Sequence, residues 1–475
     1  MFKVERRTLL KRSRINGLIM PGLLLMLAAS AWSCPSTSDE HRRIREEIEK
    51  SLRIELLHAW YPIAIDTLHG GFLSDFSFDW QPAGRQNKMI VTQSRHVWTA
   101  SQAAMFFNDD RYRRIAQHGL RFLKDKMWDT TYGGFYWLRN RQGEAMSGAD
   151  DGGKAAYGNA FAIYALASYY AMSGDTSALY LAQKTFHWLD RHSRDPLHRG
   201  YVDRLTREGL WLSQSDANLN ARKLLISSWK DQNSSIHLLE AFTGLYNVWP
   251  DSLLRERVLE MLVLIRDTIT TEKGHLTLYL QRDWTPVSFR DSSDAVRKKN
   301  YYFDHVSFGH DVETAYLMLE ASHVLGLEAD DKTLRVAKRM VDHALANGWD
   351  NDNGGFFYQG YYFAGADTIT IINEIKEWWV QAEGLNSLLL MSKLFPREKK
   401  YEQAFKKQWE YMKRYLIDHE HGGWYKEGLD KSPEMVKSAK GSDWKVNYHE
   451  SRALMNCIKM LKSEHELIKQ RAKHQ

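Results

Sequence analysis

Two kinds of helical pattern alternate along the chain from about residue 40 onward. One is amphipathic: residues 111–123 carry an apolar stripe through Tyr112, Ile115, Ala116 and Leu120 on an otherwise charged surface, and residues 334–346 repeat the design. The other, seen over residues 157–170, is apolar nearly all round. A helix with a stripe packs on one side, whereas a helix apolar on every side is enclosed on every side. The alternation therefore predicts an outer layer of amphipathic helices around an inner layer of buried ones.

A short turn recurs between the helices. It reads His69-Gly70-Gly71-Phe72, Tyr132-Gly133-Gly134-Phe135-Tyr136, Asn353-Gly354-Gly355-Phe356-Phe357 and His421-Gly422-Gly423-Trp424-Tyr425. Degenerate copies stand at His198-Arg199-Gly200-Tyr201 and Lys273-Gly274-His275-Leu276. The first glycines are spaced 63, 67, 74, 80 and 68 residues apart. Glycine followed by an aromatic residue reads as a turn into a short strand or hairpin. Six turns with two helices each predict an all-α (α/α)6 barrel, six helical hairpins in an inner and an outer ring, with short β-hairpins in the connecting loops. An open superhelix is the alternative, and closure is favoured because neither end carries a polar capping repeat. The inner helices are expected to begin at, or within a turn of, Arg95, Tyr157, Asn233, His310, Trp378 and His449. Their positive dipole ends would then converge on one mouth.

Composition changes this picture mainly at the N-terminus. The 475 residues are 43% hydrophobic and 26% charged, ordinary for a soluble globular protein. Much of the net charge of +6 comes from Lys3, Arg6, Arg7, Lys11, Arg12 and Arg14 against Glu5, so the body is close to neutral and nucleic acid is not expected as a partner. That basic start leads into an apolar run at 17–29, too short for a membrane span, and predicts a signal peptide over 1–34. Ala31-Trp32-Ser33-Cys34 resembles a lipoprotein box with Cys34 as the lipidation site, and Arg6-Arg7 resembles a twin-arginine export signal. Residues 35–44 read as a polar tether and 45–470 as the barrel. The expected location is the periplasm, or a lipid anchor on a membrane, of a Gram-negative bacterium. The second cysteine, Cys457, leaves no disulfide framework and no cysteine metal site.

Candidate chemistry gathers at the inner-helix starts. In Phe308-Gly309-His310-Asp311-Val312-Glu313 a histidine and a carboxylate three residues apart share one helix face. His237 follows Asn233 upstream, and His449 follows Trp444 and Tyr448 downstream. Taken singly, a histidine at a helix start is usually structural, and Asn233 or Asp311 would serve as caps. Recurrence in register with the repeat points instead to one shared pocket. The 17 Trp and 23 Tyr suit either a large core or sugar-stacking walls. No phosphate loop or dinucleotide fingerprint is present, and no zinc-type histidine pair has a third ligand, so no metal and no cofactor are expected. Imidazoles, the Arg95 guanidinium and the carboxylates of Glu313 and Glu383 suit proton abstraction and return at carbon, with an enediolate held by the cation.

Four stretches carry a resemblance. Gly309-His310-Asp311-Val312-Glu313, Glu377-Trp378-Trp379-Val380-Gln381-Ala382-Glu383, Tyr157-Gly158-Asn159-Ala160-Phe161 and the run from Trp444 through His449 to Arg452 resemble the motifs of cellobiose/mannobiose 2-epimerases. These belong to the N-acylglucosamine 2-epimerase superfamily, and the similarity spans about residues 45–465. The resemblance implies that His310 and His449 are acid/base residues acting on C2 from opposite sides. It implies that Arg95 binds the O1/O2 end, that His237 and Asn233 assist ring opening and hold the sugar, and that Glu313 tunes its neighbouring histidine. Tyr157, Trp378 or Trp379, and Trp444 would form aromatic walls, with Glu383 among the substrate-binding groups. The implied substrate is a β-1,4-linked disaccharide. One departure is Ser235, which stands where family members carry a histidine in Asn-Thr-His-x-His; export is another. The alternatives are an aldose–ketose isomerase of the mannose isomerase type, an N-acylglucosamine 2-epimerase, a glycoside hydrolase with a flanking carboxylate pair, and a glycan-binding surface lipoprotein.

Overall fold

A computed structural model describes residues 37–146, 153–212, 229–327 and 330–473. The predicted signal peptide and Cys34 lie outside them. The helices in chain order are α1 (Thr37–Lys50), α2 (Ile90–Phe107), α3 (Asp110–Phe122), α4 (Ala156–Ser173), α5 (Thr176–His192), α6 (Gln232–Tyr246) and α7 (Ser252–Leu264). Then follow α8 (Asp294–Asp304), α9 (Phe308–Val324), α10 (Asp331–Asn347), α11 (Trp378–Leu394), α12 (Lys399–Tyr415) and α13 (Tyr448–Lys473). Helices α2, α4, α6, α9, α11 and α13 form the inner ring, each packed against the next, and α13 closes back onto α2. The other six, leaving α8 aside, form the outer ring, so the (α/α)6 barrel is the architecture. No described helix is long and apolar enough to cross a membrane.

Four of the six outer helices start where an aspartate caps them. Asp109, Asp175, Asp251 and Asp330 each accept a hydrogen bond from a backbone N–H of the first turn. Most inner helices have no such cap: α2, α4, α9 and α11 emerge from extended residues with no side-chain cap. Their first turns look outward to the mouth instead.

Four of the six glycine turns are tied by a side chain to the inner helix that follows. Gln93, Asn159, Asp311 and Gln381 accept hydrogen bonds from the N–H of Phe72, Phe135, Leu276 and Phe356 at 2.7–2.9 Å. Asp311 thus caps a neighbouring turn, not its own helix. Gly71, at φ +65°, shows why the turn needs glycine: a Cβ there would lie 2.5 Å from Gln93 Oε1. Five turns carry a second tie, a fully buried lysine on the aspartate that opens the turn. The pairs are Lys88–Asp66, Lys154–Asp129, Lys230–Asp195, Lys376–Asp350 and Lys440–Asp418, at 2.5–3.2 Å. The fourth turn is one residue shorter, bridging Thr270 to Leu276 where the others span seven, and Thr271 and Val306 occupy the two charged places.

Three expectations change. Residues from Thr37 onward are helix, not tether: Ile44 and Ile48 are in the core, and Glu40 and Glu47 pair with Lys406 and Lys413 at 2.7 Å. The polar run there is the solvated face of an amphipathic outer helix. Inner helix α2 begins at Ile90, so Arg95 stands in its second turn. The loop before α9 carries the extra helix α8. Short antiparallel pairs such as Lys88–Met89 with Leu138–Arg139 supply the expected hairpin-like strands.

Candidate active site

The mouth of the inner ring holds a cavity of about 360 Å3, lined by Arg95, Tyr157, Asn233, His237, His310, Glu313, Trp378, Trp379, Trp444 and His449. Ten of the eleven predicted site residues meet there. They come from all six inner helices or the loop entering the last, which is why a repeat with a period of some 70 residues can build one site. The side chains fall in two levels. Tyr157, Asn233, His310, Trp379 and His449 belong to the first turn of their helices. Arg95, His237 and Glu313 each sit at the sixth helical position, one turn deeper.

Trp379 lies between the two candidate acid/base rings, 4.7 Å from His310 and 5.8 Å from His449 between centroids. Its Nε1 donates to Glu377 at 2.6 Å, which fixes the indole plane. Of the two adjacent tryptophans, Trp379 is therefore the one set against both histidines. Opposite, Arg95 donates to the Tyr157 hydroxyl at 3.2 Å and to the Trp444 carbonyl at 3.1 Å. Its guanidinium rests on Phe161 and Tyr448, 4.5 and 5.1 Å from the ring centroids. That packing holds a cation with few freedoms beside the cavity. Trp444 is half-exposed at the rim, 6.2 Å from Tyr157.

The histidines are held by different partners. His310 Nδ1 meets the Ser307 hydroxyl at 2.8 Å. His449 Nδ1 meets Glu383 Oε1 at 2.7 Å, and His237 Nδ1 meets Glu240 Oε2 at 2.8 Å. In each case Nε2 is the ring nitrogen left for a ligand. Burial pushes the His310 pKa down to about 3, helped by the nearby His237 and His305. Burial also takes His449 well below its usual range, with Arg95 and Arg452 adding to the effect. In both rings burial thus disfavours the charged form.

Two sequence expectations about carboxylates are corrected. Glu383 is fully buried behind His449 and is not among the residues lining the cavity; its contact is with a site residue, His449. Glu313 pairs not with His310 but with Arg452 at 2.5 Å, and lies 3.7 Å from His449. Helical spacing puts His310 and Glu313 on one face, but the glutamate points a level deeper, where the cation is.

That cation was not singled out from the sequence. Arg452 is fully enclosed and hydrogen-bonds Glu240, Glu313, Glu383 and the Tyr448 hydroxyl. The signal was present: Glu240, Glu313 and Arg452 each follow a site histidine by three residues. Burial disfavours the ionised form of all three glutamates. For Glu240, Arg452, His237 and Tyr448 outweigh it and hold the pKa at about 2. Glu313 and Glu383 are instead pushed up to about 7. Glu313, Glu383 and His449 offer ligand atoms within 4.8 Å of one another, but the positive charge among them is the guanidinium of Arg452. Other lining residues missed were Tyr358, Glu377, Lys426 and Ser442.

The arrangement offers two imidazoles on either side of one indole, a fixed guanidinium facing them, and a third imidazole backed by a carboxylate. It can take a proton from carbon, hold the resulting oxyanion and return a proton. Comparison with known proteins agrees. A cellobiose 2-epimerase of Bacteroides fragilis is 29% identical over 88% of this chain and 98% of its own length. One from Ruminococcus albus is 30% identical over 87% of this chain and 97% of its own. The solved cellobiose 2-epimerase of Spirochaeta thermophila superposes with a TM-score of 0.75 at 29% identity, covering 90% of this chain and 99% of that one. The sequence profile of the N-acylglucosamine 2-epimerase (GlcNAc 2-epimerase) family matches residues 70–453, and the chain belongs to that family.

Proposed function

We propose that this protein epimerises C2 of the reducing-end sugar of a β-1,4-linked disaccharide such as cellobiose or mannobiose. The observation that carries the reading is the placement of His310 and His449 on either side of Trp379, with Arg95 facing them. The sugar opens to its aldehyde with His237 and Asn233 at the ring oxygen end, which acidifies the C2 proton. One imidazole, neutral, removes that proton, Arg95 holds the cis-enediolate as charge develops, and the other, which enters the step protonated, protonates the opposite face. Ring closure then gives the C2 epimer. Trp379 and Tyr157 supply stacking faces, and half-exposed Trp444 at the rim suits the second sugar.

The test is turnover of cellobiose, mannobiose and free mannose in deuterium oxide, followed by NMR. A C2 epimer carrying deuterium at C2 is expected. A ketose labelled at C1 would show an aldose–ketose isomerase, and cleavage to monosaccharides would show a hydrolase.

We also propose that the reaction takes place outside the cytoplasm, on a chain exported by its basic and apolar leader and lipidated at Cys34. In a Gram-negative host, radiolabelled palmitate should enter the wild-type protein and not Cys34→Ser. An unlabelled wild-type chain would overturn the anchor.

A further inference from the structure

Helix α1 runs from the far end of the barrel toward the mouth. It lies beside α12 with both chains rising together: His41 meets Glu402 at 2.5 Å, and Glu40 pairs with Lys406 and Glu47 with Lys413 at 2.7 Å. Helix α12 starts where α11 ends, with Tyr401 against Phe395 at 6.2 Å between ring centroids. The opposite end of α11 carries Trp378 and Trp379 in the cavity wall. Thr37 therefore stands at the end of the barrel away from the mouth. From α1 the chain stays helical to Trp60, just before the first glycine turn. At 1.5 Å per residue, residues 37–60 span roughly 35 Å from one end to the other.

We propose that this far end is the surface that rests on the membrane, so that the active-site mouth opens away from the bilayer. The inference rests on the lipid anchor at Cys34 put forward above. Only Pro35 and Ser36 separate that cysteine from Thr37, and three steps of chain reach no more than about 11 Å. So short a link cannot pass round the barrel, and the lipid enters the bilayer beside the first turn of α1. A long flexible linker would leave a tethered domain free to turn. A lipid joined almost directly to the start of a packed helix decides which end of the barrel meets the membrane.

The side chains at this end suit a lipid surface. Leu394 closes α11 with its side chain exposed, and Met105 is exposed near the end of α2. Arg397 and Lys399 at the start of α12, and Arg42 and Arg43 in the second turn of α1, are exposed cations, with Asp39 at 3.2 Å from Arg42. Apolar tips among basic side chains enter the headgroup boundary and draw toward an anionic leaflet. At the other end Trp444 stands half-exposed at the rim of the cavity. A soluble disaccharide reaches it from the aqueous side, without passing between protein and lipid.

Fluorescent labels read the orientation. The one cysteine besides Cys34 is Cys457, which is buried, so a thiol dye can be directed to Leu394→Cys at the far end or to Leu68→Cys. Leu68 is exposed in the first glycine turn, which Gln93 of α2 holds at the mouth end. Each full-length variant, purified from host membranes, is reconstituted into phosphatidylethanolamine–phosphatidylglycerol vesicles that carry a rhodamine-labelled lipid as energy acceptor. The dye at 394 should lose most of its emission to the acceptor, and the dye at 68 should keep most of its own. Equal losses, or the larger loss at 68, would overturn the orientation. Inserting a long Gly/Ser segment after Ser36 should bring the two signals together; a difference that survives would show that the short link does not set it. A wild-type chain that stays with the vesicles no better than Cys34→Ser would overturn the lipid anchor itself.

Discussion

His310 and His449 line one cavity and touch one indole, yet the ground behind them differs in kind. His310 is half-buried, with a neutral hydroxyl at its back and no ion pair among the described residues. His449 is enclosed and belongs to a charged cluster of Glu313, Glu383 and Arg452. The difference follows the chain: His310 enters on α9 after the one turn that lacks a buried lysine–aspartate pair, and His449 enters on the helix that carries Arg452. Two similar rings placed by one repeat can thus divide a reaction between them, because what a histidine does is decided by the group on its far nitrogen.

The comparison can be broken most severely at Arg452. Arg452→Met leaves Glu240, Glu313 and Glu383 facing one another in a sealed interior. Removing one partner of a buried pair costs about 3–5 kcal/mol, so thermal unfolding should move down by several degrees and C2 exchange should vanish. An unchanged melting point would show that the three carboxylates are neutral without it.

Removing either imidazole is the next largest effect. His310→Asn and His449→Asn should each reduce C2 epimerisation by about 10²- to 10⁴-fold, with folding intact. Double variants sharpen the contrast. Adding Glu383→Gln to His449→Asn should cost nothing further in rate, since the carboxylate acts through that ring. Adding it to His310→Asn should still cost activity, and equal losses in both backgrounds would remove the assigned pairing.

The mildest test is Ser307→Ala. It deletes one neutral hydrogen bond, worth about 1 kcal/mol, and a roughly fivefold fall in kcat is expected. The pH profile should not move, because no titrating group is lost. A displaced profile would mean that Ser307 sits in the proton path.

How much of this could be read from the residues varies with their depth. The six turns, the two rings and the meeting of the histidines were legible because each leaves a local mark at a fixed period. The fourth turn was faint for a physical reason: it is one residue short and has Thr271 and Val306 where the others have charges. Arg452 was overlooked because its three carboxylate partners lie on three other helices, and no local pattern records contacts across a barrel. Glu313 was given the wrong partner by the same shortfall, since helical spacing states which face a side chain shares but not how deep it reaches. The tether misread at residues 37–44 arose where a solvated helix face and a linker have the same composition.

The position of Arg452 on the final helix has a consequence for synthesis. A nascent chain halted before α13 already contains Glu240, Glu313 and Glu383 but not the cation that joins them, nor His449. Such a chain lacks both the guanidinium that the three carboxylates share and one of the two acid/base rings. One helix, α13, thus brings both the cation that joins three other inner helices and one of the two acid/base rings.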